Sequence, residues 1–151
     1  MNRNQHTKLY LFFFLYSALM LWLLFGRIPN GNGLPFEAYF GSHINLIPFR
    51  TIHRFSRLLV PPVRPAFLRM AINNLLGNVL LFIPLGYFLP RLFSGLRKFW
   101  RTLLSTCVIM SLVEILQLLL MVGTCDIDDL ILNAFGSALG YGVYKLCSRK
   151  Q

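Results

Sequence analysis

Ser111-Leu-Val-Glu-Ile-Leu-Gln117, followed after a short turn by Asp126-Ile-Asp-Asp-Leu-Ile-Leu-Asn133, is the stretch whose reading decides the fold. It sets one carboxylate, Glu114, inside an apolar run and three more, Asp126, Asp128 and Asp129, at the mouth of the next. The chain has only five acidic residues, so four of the five fall within these few turns. A helix in water carries its acids on a solvated face. Here the neighbours of Glu114 are apolar in both directions. An ionisable group at the centre of a bilayer costs about 3 kcal/mol on insertion scales, so such a residue is kept for a partner or a task.

Composition agrees with a membrane setting. Of the 151 residues 56% are hydrophobic and the mean hydropathy is +0.58, above the roughly 45–50% apolar content of soluble domains. The surplus lies in long runs, as spanning helices require, and the length allows one domain. The net charge of +10 sits between the apolar runs, which points to anionic lipid headgroups and away from nucleic acid. Cys107, Cys125 and Cys147 are odd in number and far apart. They read as small hydrophobes, with no disulfide, metal site or cofactor implied.

Outward from the acidic stretch, the pattern predicts four spans. Leu9 to Phe25 is apolar but for Ser17 and lacks the small-residue exit of a cleaved signal, so it reads as an uncleaved first helix. Pro29-Asn-Gly-Asn-Gly33 is turn chemistry. In Ile44-Asn-Leu-Ile-Pro-Phe-Arg50, Pro48 suits a helix start. Arg50, His53, Arg54 and Arg57 then recur at i, i+3, i+4 and i+7, with Ile52, Phe55 and Leu59 opposite. This predicts a short amphipathic helix in the headgroup layer, ended by Pro61, Pro62 and Pro65. The plain reading is an anchor. The sharper one is an anion site for a phosphate-bearing lipid or peptidoglycan precursor.

Met70 to Phe93 is the second run, carrying Asn73, Asn74, Asn78 and Pro84; Leu103 to Val122 is the third and Leu130 to Leu146 the fourth. Arg91, Arg97, Lys98 and Arg101 make the second loop basic, whereas the third is acidic. Positive charge marks the cytoplasmic side, which puts both termini inside and the Asp cluster and amphipathic segment outside. The expected division is an N-terminal helix and linker over 1–43, a membrane domain over 44–147 and a basic cytoplasmic tail over 148–151.

Asp126, Asp129, Asn133, Gly136 and Gly140 share one face of the last helix. Its glycine half allows close helix approach. Its polar half is expected to meet Glu114 and Gln117 of the antiparallel neighbour, with Asn74 and Asn78 as a third side. The plain readings are that Asp126 or Asp128 caps the last helix and that the asparagines bond helix to helix. Three functional readings stay open: a membrane protein holding a polar ligand at its outer rim, an intramembrane enzyme using Glu114, Asp126 and Asp129 as acid–base groups or as oxygen ligands for a divalent cation such as Mg²⁺ or Ca²⁺, and an ion path needing oligomerisation. No Ser–His pair, HExxH or CxxC supports hydrolysis, so binding is preferred to turnover.

At these residues the chain resembles the VanZ-like family. The resemblance rests on Ile44-Asn-Leu-Ile-Pro-Phe49, Asn74-Leu-Leu-Gly-Asn78, Phe82-Ile-Pro-Leu-Gly86, Glu114-x-x-Gln117, Asp126-Ile-Asp-Asp-Leu-Ile-Leu-Asn-x-x-Gly136 and Gly140-Tyr141. It implies a multi-pass bacterial plasma-membrane protein, and the family's founding member is linked to low-level teicoplanin resistance. Carried over by position, the characteristic polar residues are Asn45, Asn78, Glu114, Gln117, Asp126, Asp129 and Asn133. In one place the pattern departs. Where many relatives have arginine just after the turn glycine, Thr124 and Cys125 follow Gly123 here, so a salt bridge across that turn is not carried over. The expected binding set adds Arg50, Asn74 and Asp128. The expected role is accessory, altering glycopeptide susceptibility through the polar cluster; the alternative is an enzyme acting on a lipid-linked phosphate.

Overall fold

Hydrocarbon offers a backbone no hydrogen-bonding partner but itself, so the long apolar runs become helices. A computed structural model describes residues 3–26, 33–60 and 64–148. Six α-helices account for most of them: α1 (Arg3–Phe25), α2 (Phe36–Ser42), α3 (Arg50–Arg57), α4 (Pro65–Leu92), α5 (Phe99–Leu119) and α6 (Ile127–Ser148). Two short strands, β1 (Ile44–Asn45) and β2 (Cys125–Asp126), pair in parallel. The turn segment Pro29–Asn32, the helix-ending Pro61 and Pro62, and Arg149 and Lys150 of the basic tail lie outside the described residues.

The all-helical expectation holds in bulk, with two differences. The second long helix opens at Pro65 rather than Met70. Proline fits the first helical position, where its missing N–H costs nothing, and Arg64 before it is extended. Helix α2 and the β1–β2 bridge add structure that the hydrophobic pattern did not signal, because neither is long enough to show a period.

Among the described residues, three helices are long and apolar enough to cross a membrane: α1 over Asn4–Phe25, α4 and α5. Helix α6 has 22 residues, or about 33 Å at the usual rise, but its acids, Asn133 and glycines lower its hydropathy. Its closest partner is α4. A Cβ on Gly136 would collide with the Val79 carbonyl oxygen, one on Gly140 with that of Ile83, and one on Gly86 with that of Ser137. The two backbones therefore touch through three glycines, as small-residue stripes in membranes allow. Thr106 Oγ1 and Ser137 Oγ, 2.8 Å apart, tie α5 to α6. A core of Met20, Leu24, Phe82, Leu85, Leu89, Met110 and Val113 joins α1, α4 and α5. Outward faces are apolar: Phe14 is 68% exposed and Leu104 64%, as lipid contact requires.

Candidate functional site

One end of the bundle is held by carboxylates. Asp126 precedes α6 and caps it, its Oδ1 accepting from the Asp128 N–H at 2.9 Å. The same oxygen accepts from Asn45 Nδ2 at 3.0 Å, and Oδ2 accepts from the Thr51 hydroxyl at 2.6 Å. Asp128 turns away from its own helix and caps another. Its oxygens accept from the backbone N–H groups of Phe49 (2.5 Å), Thr51 (2.6 Å) and Ile52 (3.0 Å), the open start of α3. A helix start offers unpaired N–H groups and a partial positive charge, which suits a carboxylate. The grip also holds Phe49 at φ 65°, a left-handed conformation that a non-glycine residue seldom adopts. Of the two plain capping readings, Asp126 follows the expected one and Asp128 does not.

Glu114 is 5% exposed and its Oε2 accepts from the Asp126 N–H at 3.2 Å. The buried acid of the third apolar run thus braces the turn that carries Asp126. The bridge pairs Ile44 with Cys125 and Asn45 with Asp126, and the Cys125 N–H donates to the His43 carbonyl at 2.8 Å. Tyr39, fully buried, stacks on His43 and donates its hydroxyl to the Gly123 carbonyl at 2.8 Å. Burial pushes the Cys125 thiol above its ordinary pKa, and the nearby charges of Glu114 and Asp126 push it the same way.

Beside this junction lies a polar cleft in two lobes. The first, about 310 Å³, is lined by Asn45, Arg50, Thr51, Arg54, Asn74 and Asp126 among others. The second, about 510 Å³, is lined by Arg69, Asn73, Asn74, Asn78, Thr124 and Asp129. Phe55, Asn74, Thr124 and Asp129 border both lobes, so they form one cleft with Phe55 as a wedge. Arg54 lies over the Phe55 ring at 5.2 Å. Asn78 Nδ2 donates to Asp129 Oδ1 at 2.5 Å. Asn74 Oδ1 is buried and has no donor among the described residues. Among those residues no three His, Cys, Asp or Glu side chains converge as a metal ion would need.

Most of the predicted set comes together at this end. Asn45, Glu114, Asp126 and Asp128 build the junction; Arg50, Asn74, Asn78 and Asp129 line the cleft. Gln117 does not join them. Its amide donates to the Leu24 carbonyl of α1 at 2.7 Å, because the three-residue spacing from Glu114 has drifted round the helix. Asn133 is 1% exposed, on the α6 face that carries Gly136 and Gly140, and its Oδ1 has no partner among the described residues. Thr51, Arg69 and Asn73 are not in the expected set, and Arg54 enters it only as part of the amphipathic helix, read as an anchor or as an anion site. Arg69 and Asn73 are four apart on α4, a signal that its helical period would have given.

Helices apolar enough to span a bilayer and a buried junction of acids and amides at one end define a helical membrane protein of a particular architecture. The VanZ/LLP1 family profile matches residues 13–148, and the chain belongs to that family. It is 27% identical over 135 residues to Protein VanZ of Enterococcus faecium, covering 89% of this chain and 72% of that relative. No solved structure matches it.

Proposed function

We propose that this is an accessory envelope protein that holds a phosphate-bearing component of the membrane or wall in the two-lobed cleft, and thereby weakens glycopeptide action. The family and the name of its relative support the resistance context. The cleft supports the chemistry. Arg50, Arg54 and Arg69 stand on its walls, and guanidinium groups match phosphate oxygens in a fork geometry. The observation that carries the reading is this gathering of cations around the buried, undonated Asn74 Oδ1. Such an acceptor needs a donor from water or a ligand.

Holding is favoured over turnover by how the acids are used. Both oxygens of Asp126 and of Asp128 are occupied by donors of the chain itself, which leaves them building rather than reacting. In this reading α6 is a fourth span beside α4, α3 lies in the outer headgroup layer, both termini are cytoplasmic and the membrane is the bacterial plasma membrane. The test is glycopeptide susceptibility of cells expressing the wild type or the Arg54→Ala/Arg69→Ala double variant at matched levels. The variant should fall to the level of cells lacking the protein. Undiminished protection would remove the cleft from the function.

A further inference from the structure

Below the polar cleft, a third cavity of about 470 Å³ runs between α1 and α4. Its walls are apolar, formed by Tyr16, Leu19, Leu23, Leu80, Leu81 and Pro84 among others. Asn73 and Asn78 border both this furrow and the second lobe of the cleft, so the two are continuous. Along α4 the wall residues Arg69, Asn73, Gly77, Leu80, Leu81 and Pro84 fall at i, i+4, i+8, i+11, i+12 and i+15, one face of a helix. Down that face the chemistry passes from cation to amide to hydrocarbon. At the furrow wall the Tyr16 hydroxyl donates to the Leu81 carbonyl at 2.7 Å and ties α1 to α4.

We infer that the occupant is a single membrane phospholipid, with its phosphate between Arg54 and Arg69 and a hydrocarbon chain in the α1–α4 furrow. This rests on the cleft being a phosphate site and adds that the ligand enters sideways from the bilayer. Charge complementarity fixes the phosphate at the arginine walls. Asn74 Oδ1 and Asp129, at the border of both lobes, accept from hydroxyl or amine groups of the head. The furrow then takes the chain that a soluble phosphate lacks. Gly77 supplies a clean probe, for a Cβ there meets nothing within 4 Å. A larger side chain at this position projects into the furrow from a backbone site where the first added carbon is unobstructed.

The full-length protein in neutral detergent is titrated, with thermal unfolding as readout, against phosphatidylglycerol, diacylglycerol of the same chains, and the water-soluble glycerophosphoglycerol head. Phosphatidylglycerol should stabilise at a concentration at least about tenfold lower than the soluble head, a difference the buried chain readily supplies. Diacylglycerol should not stabilise. Gly77→Phe should weaken phosphatidylglycerol about tenfold and leave the soluble head unchanged; Arg54→Ala/Arg69→Ala should abolish both. Leu80→Trp, at a position 61% exposed, serves the same purpose should Gly77→Phe not fold. Equal binding of lipid and soluble head, untouched by either furrow variant, would overturn the lipid and leave the phosphate site standing. Equal stabilisation by diacylglycerol and phosphatidylglycerol would overturn both.

Discussion

At the Asp126–Asp128 junction both oxygens of each carboxylate have a donor, from Asn45, Thr51, Phe49, Ile52 or the α6 backbone. In the cleft beside it, three guanidinium groups line the walls and an amide oxygen is buried without a donor among the described residues. The two regions share Asp126 and Thr51 as a wall yet use polarity in opposite ways. In the first, charge is spent on holding α3, β1, β2 and α6 together. In the second, cations stand on the walls of an open cleft. Glu114, Asp126 and Asp128, prominent in the sequence, are therefore builders, and the proposed binding chemistry falls mainly to the arginines and asparagines beside them.

The sharpest way to break this contrast is to remove a builder. Asp128→Ala leaves three N–H groups of the α3 start without their acceptor, and hydrogen bonds to a charged, fully buried carboxylate are worth more than neutral ones. We expect a loss of about 3 kcal/mol, read as a large fall in unfolding midpoint in detergent. A loss under about 0.5 kcal/mol would mean that Asp128 does not hold α3. Gly140→Ala comes next. It pushes a methyl group into the Ile83 carbonyl oxygen, and separating two packed backbones should cost about 2 kcal/mol by the same measurement. Stability equal to the wild type would show that α4 and α6 do not meet there.

Removing a binder should look different. Arg54→Ala/Arg69→Ala should stay within about 1 kcal/mol of the wild type, since both are surface substitutions and only the stacking of Arg54 on Phe55 is lost. Protection against glycopeptide should nevertheless disappear. A double variant that unfolds as readily as Asp128→Ala would merge the two regions into one structural unit. The smallest effect concerns Cys125. With its pKa raised, its alkylation rate at pH 8 should lie below that of an ordinary thiol and climb as pH rises. An impermeant maleimide should reach it from outside the cell. Labelling only from the cytoplasmic side would invert the topology.

Much of the fold was legible in the sequence, for a physical reason. A single segment in hydrocarbon satisfies its own backbone only as a helix, so Leu9–Phe25 and Leu103–Val122 are marked by length and continuous apolarity, and Gly136 and Gly140 by spacing. That the buried acid of α5 meets the polar end of α6 follows from the scarcity of partners in a bilayer, Glu114 accepting from the Asp126 N–H; Asn45, in the connection before α3, reaches Asp126 only through long-range geometry. What stayed hidden was decided by long-range geometry. Nothing local says that Asp128 caps α3 rather than α6, that Ile44 and Asn45 pair with Cys125 and Asp126, or that Gln117 turns to α1. Arg69 was overlooked because a cation at a span boundary is the commonest thing there. Only its place above Asn73, at the mouth of a furrow, sets it apart.

Native mass spectrometry of the protein released gently from bacterial membranes tests the division of labour most directly. The wild type should carry one phospholipid that survives transfer to the gas phase, and the Arg54→Ala/Arg69→Ala variant, folded and equally abundant, should carry none. Equal phospholipid retention by both would show that the arginines do not hold the head and that the cleft is only part of the scaffold.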